Sequence, residues 1–508
     1  MAVNAPNLWT EPPLGNREWA REMFERSKTA SLTIHANLER HHTCTLDNLE
    51  LALNHAWRLR HFTLNCGHVP IQRVLESFPR SAPRLESLVI NDGPRYSLAS
   101  YPPFKLACDS FSDTDRLRRL ELVKVEVNWD SRLLSSLTHL KLDDISFGGR
   151  PLTTQLLNML RRMPDLEVLE LRDCLALDEG HEDAESSGKP VLHLAHLQSL
   201  NLTGTHLELE PLLRRISVPS TAKISCLASG GRSPEFTKFI AAFSAVRVAS
   251  FNTEHAPVIR ALHITSPNPA SLRFQLYSEA PPDFPYYGHH YNGKKAYTEV
   301  GLSSGLALTT PQVEQYLRAM HSVLPLAKID KLQISIPFNC VDLGASALSD
   351  TYGTLPNLKS VCIIGHPASL SMINAMVAQP AGQTPNTGAA PTSVAFSPLQ
   401  SIIFYDIEFY TPIHGETRVL TIDRMKDFLI ERYERGAEIQ RLEFVECTRL
   451  CLDDVEDLRE IVVDVEWDQV QMGFTETEEE DEDYLDYADP YDYYGSDSDE
   501  YTMWPFGF

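Results

Sequence analysis

The chain has 508 residues, 43% of them hydrophobic, with 45 basic and 69 acidic side chains and a net charge of −24. That is enough apolar material for a sizeable core, yet no uninterrupted apolar run nears the roughly 20 residues of a membrane-spanning helix. The charge is lopsided: no Lys or Arg follows Arg459, Glu460 to Glu500 carries 17 acids, and only −7 remains for residues 1–459, so neither part offers the basic face that duplex nucleic acid requires.

The first predicted element is a turn at Asn4-Ala5-Pro6-Asn7, followed by Leu8 and Trp9, two large apolar groups that need a packing partner. The basic start and apolar run of a secretory signal are missing. A helix follows with Trp19, Met23 and Phe24 on one face, then Arg26-Ser27 and the extended segment "SLTIHANL". Beyond it an apolar-x-x-apolar-x-apolar pattern recurs. It reads "LRHFTL" at 59–64, "LESLVI" at 85–90, "LRRLEL" at 117–122, "LTHLKL" at 137–142, "LEVLEL" at 166–171 and "LQSLNL" at 197–202. It returns as "IDKLQI" at 329–334, "LKSVCI" at 358–363, "LQSIIF" at 399–404 and "IQRLEF" at 439–444. Each unit ends in alternating apolar residues, the signature of a short strand with one buried face.

Helical stretches lie between several units. Leu156, Leu157 and Leu160 share one helix face, and Pro164 stops that helix before the next strand. In "TPQVEQYLRAMHSVLP", Thr310 is the expected N-cap and Pro311 the first helical residue; in "TIDRMKDFLIERYERG", Gly436 is the expected C-cap. Between 205 and 325 the pattern fades, and "AKISCL", "VRVASF" and "SLRFQL" read as degenerate strands. Three segments read as exposed loops, at 178–190, 278–297 and 379–398. The closing 468–508, with 13 acids between 476 and 500 and six tyrosines between 484 and 501, has a composition that favours disorder.

Strand, turn and helix repeating at these intervals predict an α/β fold: an irregular solenoid like that of leucine-rich repeats, with parallel strands on its concave face and a disordered acidic C-terminal tail. A single unit cannot bury both its strand face and its helix face, so neighbours must stack. Cys174 and Cys447 stand where such repeats tie down turn carbonyls, a position that elsewhere holds Gly67, Val125, Ile145 and Thr205.

The residues predict no enzyme, with no catalytic group, no cofactor and no metal site. His41, His42 and Cys44 lack a second ligand pair at metal-site spacing, and no nucleophile elbow, phosphate loop or dinucleotide fingerprint occurs. Nine cysteines at irregular spacing read as thiols of an intracellular protein, cytoplasmic or nuclear. Function then falls to the strand positions opposite the buried face: His61, Thr63 and Asn65; Arg119 and Glu121; His139, Lys141 and Asp143; Glu170 and Arg172; Ser199 and Asn201; Lys331 and Gln333; Arg441 and Glu443. Their mixed signs suit a protein partner, not a nucleic acid or a membrane.

Residues Asn4, Ala5, Pro6, Leu8 and Trp9, the helix with Trp19, Met23 and Phe24, Arg26-Ser27 and "SLTIHANL" together resemble the large F-box protein family of mushroom-forming fungi. The resemblance continues loosely through the leucine-rich body to about residue 470. It implies that 1–40 follow an F-box, as a helix and strand, that 41–467 are the leucine-rich-repeat-like solenoid, and that 468–508 are the acidic tail. It also implies a substrate-recognition role in a Skp–cullin ubiquitin ligase. The "LPxEL…IF" and "VC+xW+" segments that bind the Skp subunit are not in this chain, so that partner is expected only if an F-box lies upstream. The alternative is a stand-alone leucine-rich binding protein that recruits no ligase.

Overall fold

The computed structural model describes residues 5–38, 46–66, 78–93, 104–107, 110–111, 113–177, 191–230, 233–251, 256–278, 296–336, 342–378, 394–409 and 420–469. All ten segments of the recurring apolar pattern run into strands. The strands of the main sheet, in chain order, are β1 (Leu32–Asn37), β2 (Leu59–Cys66), β3 (Ser87–Asp92), β4 (Arg119–Val123), β5 (His139–Asp143), β6 (Val168–Arg172), β7 (Ser199–Thr205) and β8 (Lys223–Ser229). They continue with β9 (Ala261–Thr265), β10 (Ser271–Tyr277), β11 (Thr298–Ser303), β12 (Lys331–Ser335), β13 (Ser360–Ile364), β14 (Ser401–Tyr405), β15 (Arg441–Val445) and β16 (Asp464–Trp467). These strands form one mostly parallel sixteen-stranded sheet, open rather than closed into a barrel.

Alternation decides the layering. In β5, Leu140 and Leu142 are buried while His139, Lys141 and Asp143 keep partial exposure, and the same two-residue rhythm runs through β1 to β8. The buried side chains merge with the inner faces of the helices into a single core cluster. Ten α-helices occur among the described residues. From His206–Leu213 onward they pack side by side in chain order, through Ser233–Phe251, Thr310–Val323, Ala345–Thr351, His366–Val377, Ile422–Glu434 and Leu452–Ile461.

The turn out of a strand has a recurrent backbone device. Lys124, Asp144, Asp173, Asp406 and Glu446, each directly after a strand, adopt φ between 45° and 59°, and Gly230 and Gly365 do so at 66° and 86°. This left-handed residue keeps its N–H in the ladder: Asp144 N donates to Arg172 O at 2.9 Å and Asp173 N to Thr203 O at 2.8 Å. It also drops the following side chain into the core, so Val125, Ile145, Cys174, Ile407 and Cys447 are all buried. The Cys447 thiol donates to Phe404 O at 3.5 Å, a carbonyl of strand β14 rather than of the turn.

Four expectations need correction. "VRVASF" is not a strand but the end of the helix Ser233–Phe251, because Phe236, Phe239, Ile240, Phe243 and Val246 extend a helical period into it and are buried on one face. "SLRFQL" does form β10, but antiparallel to both neighbours. The meander β9–β10–β11 enters the sheet in reverse, giving the spatial order β8–β11–β10–β9–β12. The N-cap of Thr310–Val323 is Thr309, whose backbone N–H is held by Gln312 Oε1 at 2.8 Å. Finally, the segment 379–398 is not all exposed loop, since Ala395 and Phe396 are fully buried. The loop 178–190, most of 278–297 and 379–398, the "HHTC" cluster and residues 470–508 lie outside the described residues.

Two buried arginines fasten the ends. Arg432 donates to the carbonyls of Ala437, Met376, Ala395 and Phe396 at 2.9–3.0 Å. Arg58 holds Ser27 Oγ and Phe24 O at 2.9 Å, clamping the end of the first helix, Arg17–Arg26, onto β2. Trp9 finds its partners within the chain, edge-on to Trp19 at a centroid distance of 6.0 Å and under the Arg26 guanidinium at 4.7 Å, whereas Leu8 stays 63% exposed.

Candidate functional site

The site is assembled from the sheet face turned away from the helices. Register aligns its side chains in rows across the strands. The central row begins with His35, Thr63 and Val89, then passes through Glu121, Lys141 and Glu170 to Asn201 and Ser225. It crosses the reversed meander as Glu299, Gln275 and His263, then continues as Gln333, Cys362, Ile403, Glu443 and Glu466.

Four chemically distinct zones follow from that row and its neighbours. Over β1–β3 the face is uncharged, with Asn37, Asn65 and Asn91 stacked in register. Over β4–β6 charges neutralise one another. Arg119 Nε reaches Glu121 at 2.7 Å, Lys141 reaches Glu170 at 3.9 Å, and Arg172 reaches Asp143 at 3.6 Å. Such half-exposed pairs contribute about 0–1 kcal/mol each, so they shape the charge pattern more than they stabilise the fold.

Across β8–β11–β10–β9 the zone is a hydrogen-bonded chain. Ser225 Oγ donates to Glu299 Oε2 at 2.9 Å, and Gln275 Nε2 donates to Glu299 Oε1 at 3.1 Å. Gln275 Oε1 lies 3.1 Å from His263 Nδ1. Burial pushes the His263 imidazole down to about 4, against a smaller upward pull from Gln275. Over β13–β15 the face turns apolar: Cys362, Ile364 and Tyr405, joined by Ile403 and Val445, form a cluster of their own apart from the core. Burial and the nearby Glu443 carboxylate raise the Cys362 thiol to about 12.

All sixteen sequence-predicted positions fall on this face. Gln333 is the exception in accessibility: it is 1% exposed and cannot meet a partner without rearrangement. His35 and Asn37 were legible, because "SLTIHANL" carries the same alternation. The residues of β9 and β11 were not, since neither strand carries the recurring pattern, and the apolar Cys362, Ile403 and Tyr405 give no polar signal. Two hollows flank the sheet. One of about 520 Å³ lies beyond the carboxyl ends of β5–β7, and one of about 680 Å³ lies between Ala256–Ile259, His321–Lys328 and Thr354–Pro356. Among the described residues no group of three or more His, Cys, Asp or Glu side chains is placed to hold a metal ion, and no helix is long and apolar enough to cross a membrane. The chain matches no protein-family model and no curated protein.

Proposed function

We propose that the chain is a non-enzymatic protein–protein interaction module, a leucine-rich-repeat-like solenoid that holds a protein target on its open sheet face. The observation that supports this is the face itself: strands aligned in register, the described helices packed against one side, and on the other side amide, paired-charge and apolar zones. A surface mixing apolar anchors with balanced charge fits a polypeptide better than a polyanion. In the fuller reading the module is the substrate-recognition part of an F-box adaptor in a Skp–cullin ubiquitin ligase. Exposed Leu8 and Trp19 beside the clamped first helix favour an attached neighbour there. The alternative is a stand-alone binding protein, favoured by Trp9 having its partners within the chain.

The test compares three proteins: the parent chain, an open-face variant (Glu121→Lys, Lys141→Glu, Glu443→Lys) and a helix-face variant (Glu434→Lys, Glu456→Lys). Each is used to capture proteins from native lysate, with quantitative mass spectrometry. Proteins retained by the parent and the helix-face variant should be lost from the open-face variant. Equal retention by all three removes the reading. Titration with purified Skp subunit separates the branches, since measurable affinity belongs only to the adaptor.

A further inference from the structure

The hollow beyond the carboxyl ends of β5–β7 is lined by Asp143, Phe147, Arg150, Asp173, Leu177 and Glu208, with Asp144 and Thr205 completing its wall. Two features independently select the same chemistry. The first is an aromatic surface. Phe147 is 82% exposed, more than any other aromatic side chain among the described residues. The Arg150 guanidinium sits 4.2 Å from its ring centroid, and the high exposure leaves ring surface free for a second contact. An aromatic face attracts a cation.

The second feature is unbalanced charge. Arg150 is the one cation of the lining, and it is already committed, donating to Ile145 O at 2.9 Å and lying 3.2 Å from Glu208 Oε1. Asp143 and Asp144 lean on Arg172 and Lys124, at 3.6 and 3.7 Å, outside the hollow. Asp173 has no ion-pair partner among the described residues. Its carboxyl is raised by burial and by Asp144, Glu208 and Asp143, with only Arg150 opposing. Asp143 also stands on the open face, in register with Arg172 of β6, so the hollow adjoins the candidate binding surface at the sheet rim.

The geometry points to this hollow as a pocket for an arginine or lysine side chain of the bound protein, with Phe147 stacking on the cationic head and Asp173 pairing with it. The inference rests on the open-face reading and specifies which partner feature that face recognises. An arginine fits better than a lysine, since its planar head can stack on the ring while its edge reaches a carboxylate.

The experiment uses the full chain and two defined peptides, acetyl-Leu-Arg-Leu-amide and acetyl-Leu-Gln-Leu-amide, observed by saturation-transfer NMR. The arginine peptide should bind roughly tenfold more tightly, a gap that shrinks in high salt. Asp173→Asn, which keeps a residue that tolerates the left-handed turn, and Phe147→Ala should each remove most of that gap, while Glu434→Lys leaves it intact. Equal binding of the two peptides overturns the pocket, as does a preference that survives both substitutions. Calcium or magnesium chloride displacing the peptide at matched ionic strength would reassign the hollow to a divalent cation and also overturn it. Because the peptides are defined, this pocket can fail while the open-face capture experiment succeeds, so the two failures are distinguishable.

Discussion

Burial holds the His263 imidazole at about 4 although Gln275 Oε1 is within 3.1 Å of its Nδ1. Gln275 spends its amide N–H on Glu299 Oε1, so its oxygen is the acceptor and the neutral ring carries its proton on Nδ1. The unfolded ring titrates near 6.5, the folded ring near 4. As pH falls through that window the unfolded state takes up a proton that the folded state refuses, so stability is full above it and is lost on acidification. The loss totals on the order of 3 kcal/mol across the window. His263→Gln keeps a polar group there and removes the titration. Urea unfolding of parent and variant between pH 7.5 and 5 should show the parent losing about 1.4 kcal/mol per pH unit relative to the variant below pH 6.5. Parallel curves would mean that the ring is not held neutral by burial.

The connection between strand and helix is where single residues carry an element. Gly365 (φ 86°) turns β13 into the helix His366–Val377, and a Cβ there would be driven into the backbone carbonyl of Ile336. Gly436 (φ 73°) follows the helix Ile422–Glu434, and a Cβ there would meet nothing within 4 Å. Gly436→Ala should therefore cost only the left-handed backbone term, about 1–2 kcal/mol. Gly365→Ala must add backbone displacement and should cost more than that by at least about 1 kcal/mol, checked by the shift in urea midpoint. Equal costs would show that the backbone at Ile336, just past β12, yields freely. These elements were readable because their signals are local: alternation for "LEVLEL", a Pro stop after Met163, a glycine past a helix. "VRVASF" has a strand-like β-branched alternation, but the buried Phe236 to Phe243 helical face ahead of it overrides that local signal. Phe396 misled because proline, glycine and threonine around it hid a residue that Arg432 anchors from 36 positions away.

At the scale of the molecule, spatial order is what the sequence withheld. Where parallel neighbours in the sheet are also neighbours in the chain, pairing partners lie as close as the 20 positions between Arg119 and His139. The reversed meander breaks that rule. Ser225 on β8 meets Glu299 on β11 from 74 positions away, and Arg260 meets Asp330 from 70. A stack with only sequential neighbours can unfold from either end, unit by unit. Here β8 has no partner on its far side unless β11 is in place, and β12 has none unless β9 is. The meander therefore couples the two halves of the sheet, and damage to it should spread both ways. A Cβ at Gly301 on β11 would press on the side chains of Leu227 of β8 and Arg273 of β10, so a leucine there must displace both. Hydrogen exchange of Gly301→Leu should be roughly tenfold or more faster in β7 and β8 and equally in β12 and β13, because the lesion costs about 1–3 kcal/mol shared by both halves. Val465→Asp on the edge strand β16 should instead loosen only β15 and β16. If the Gly301 lesion stays within β10 and β11, the halves fold independently and the meander is a passive insert. If it spreads to both, the sheet is one cooperative unit despite its repeating construction.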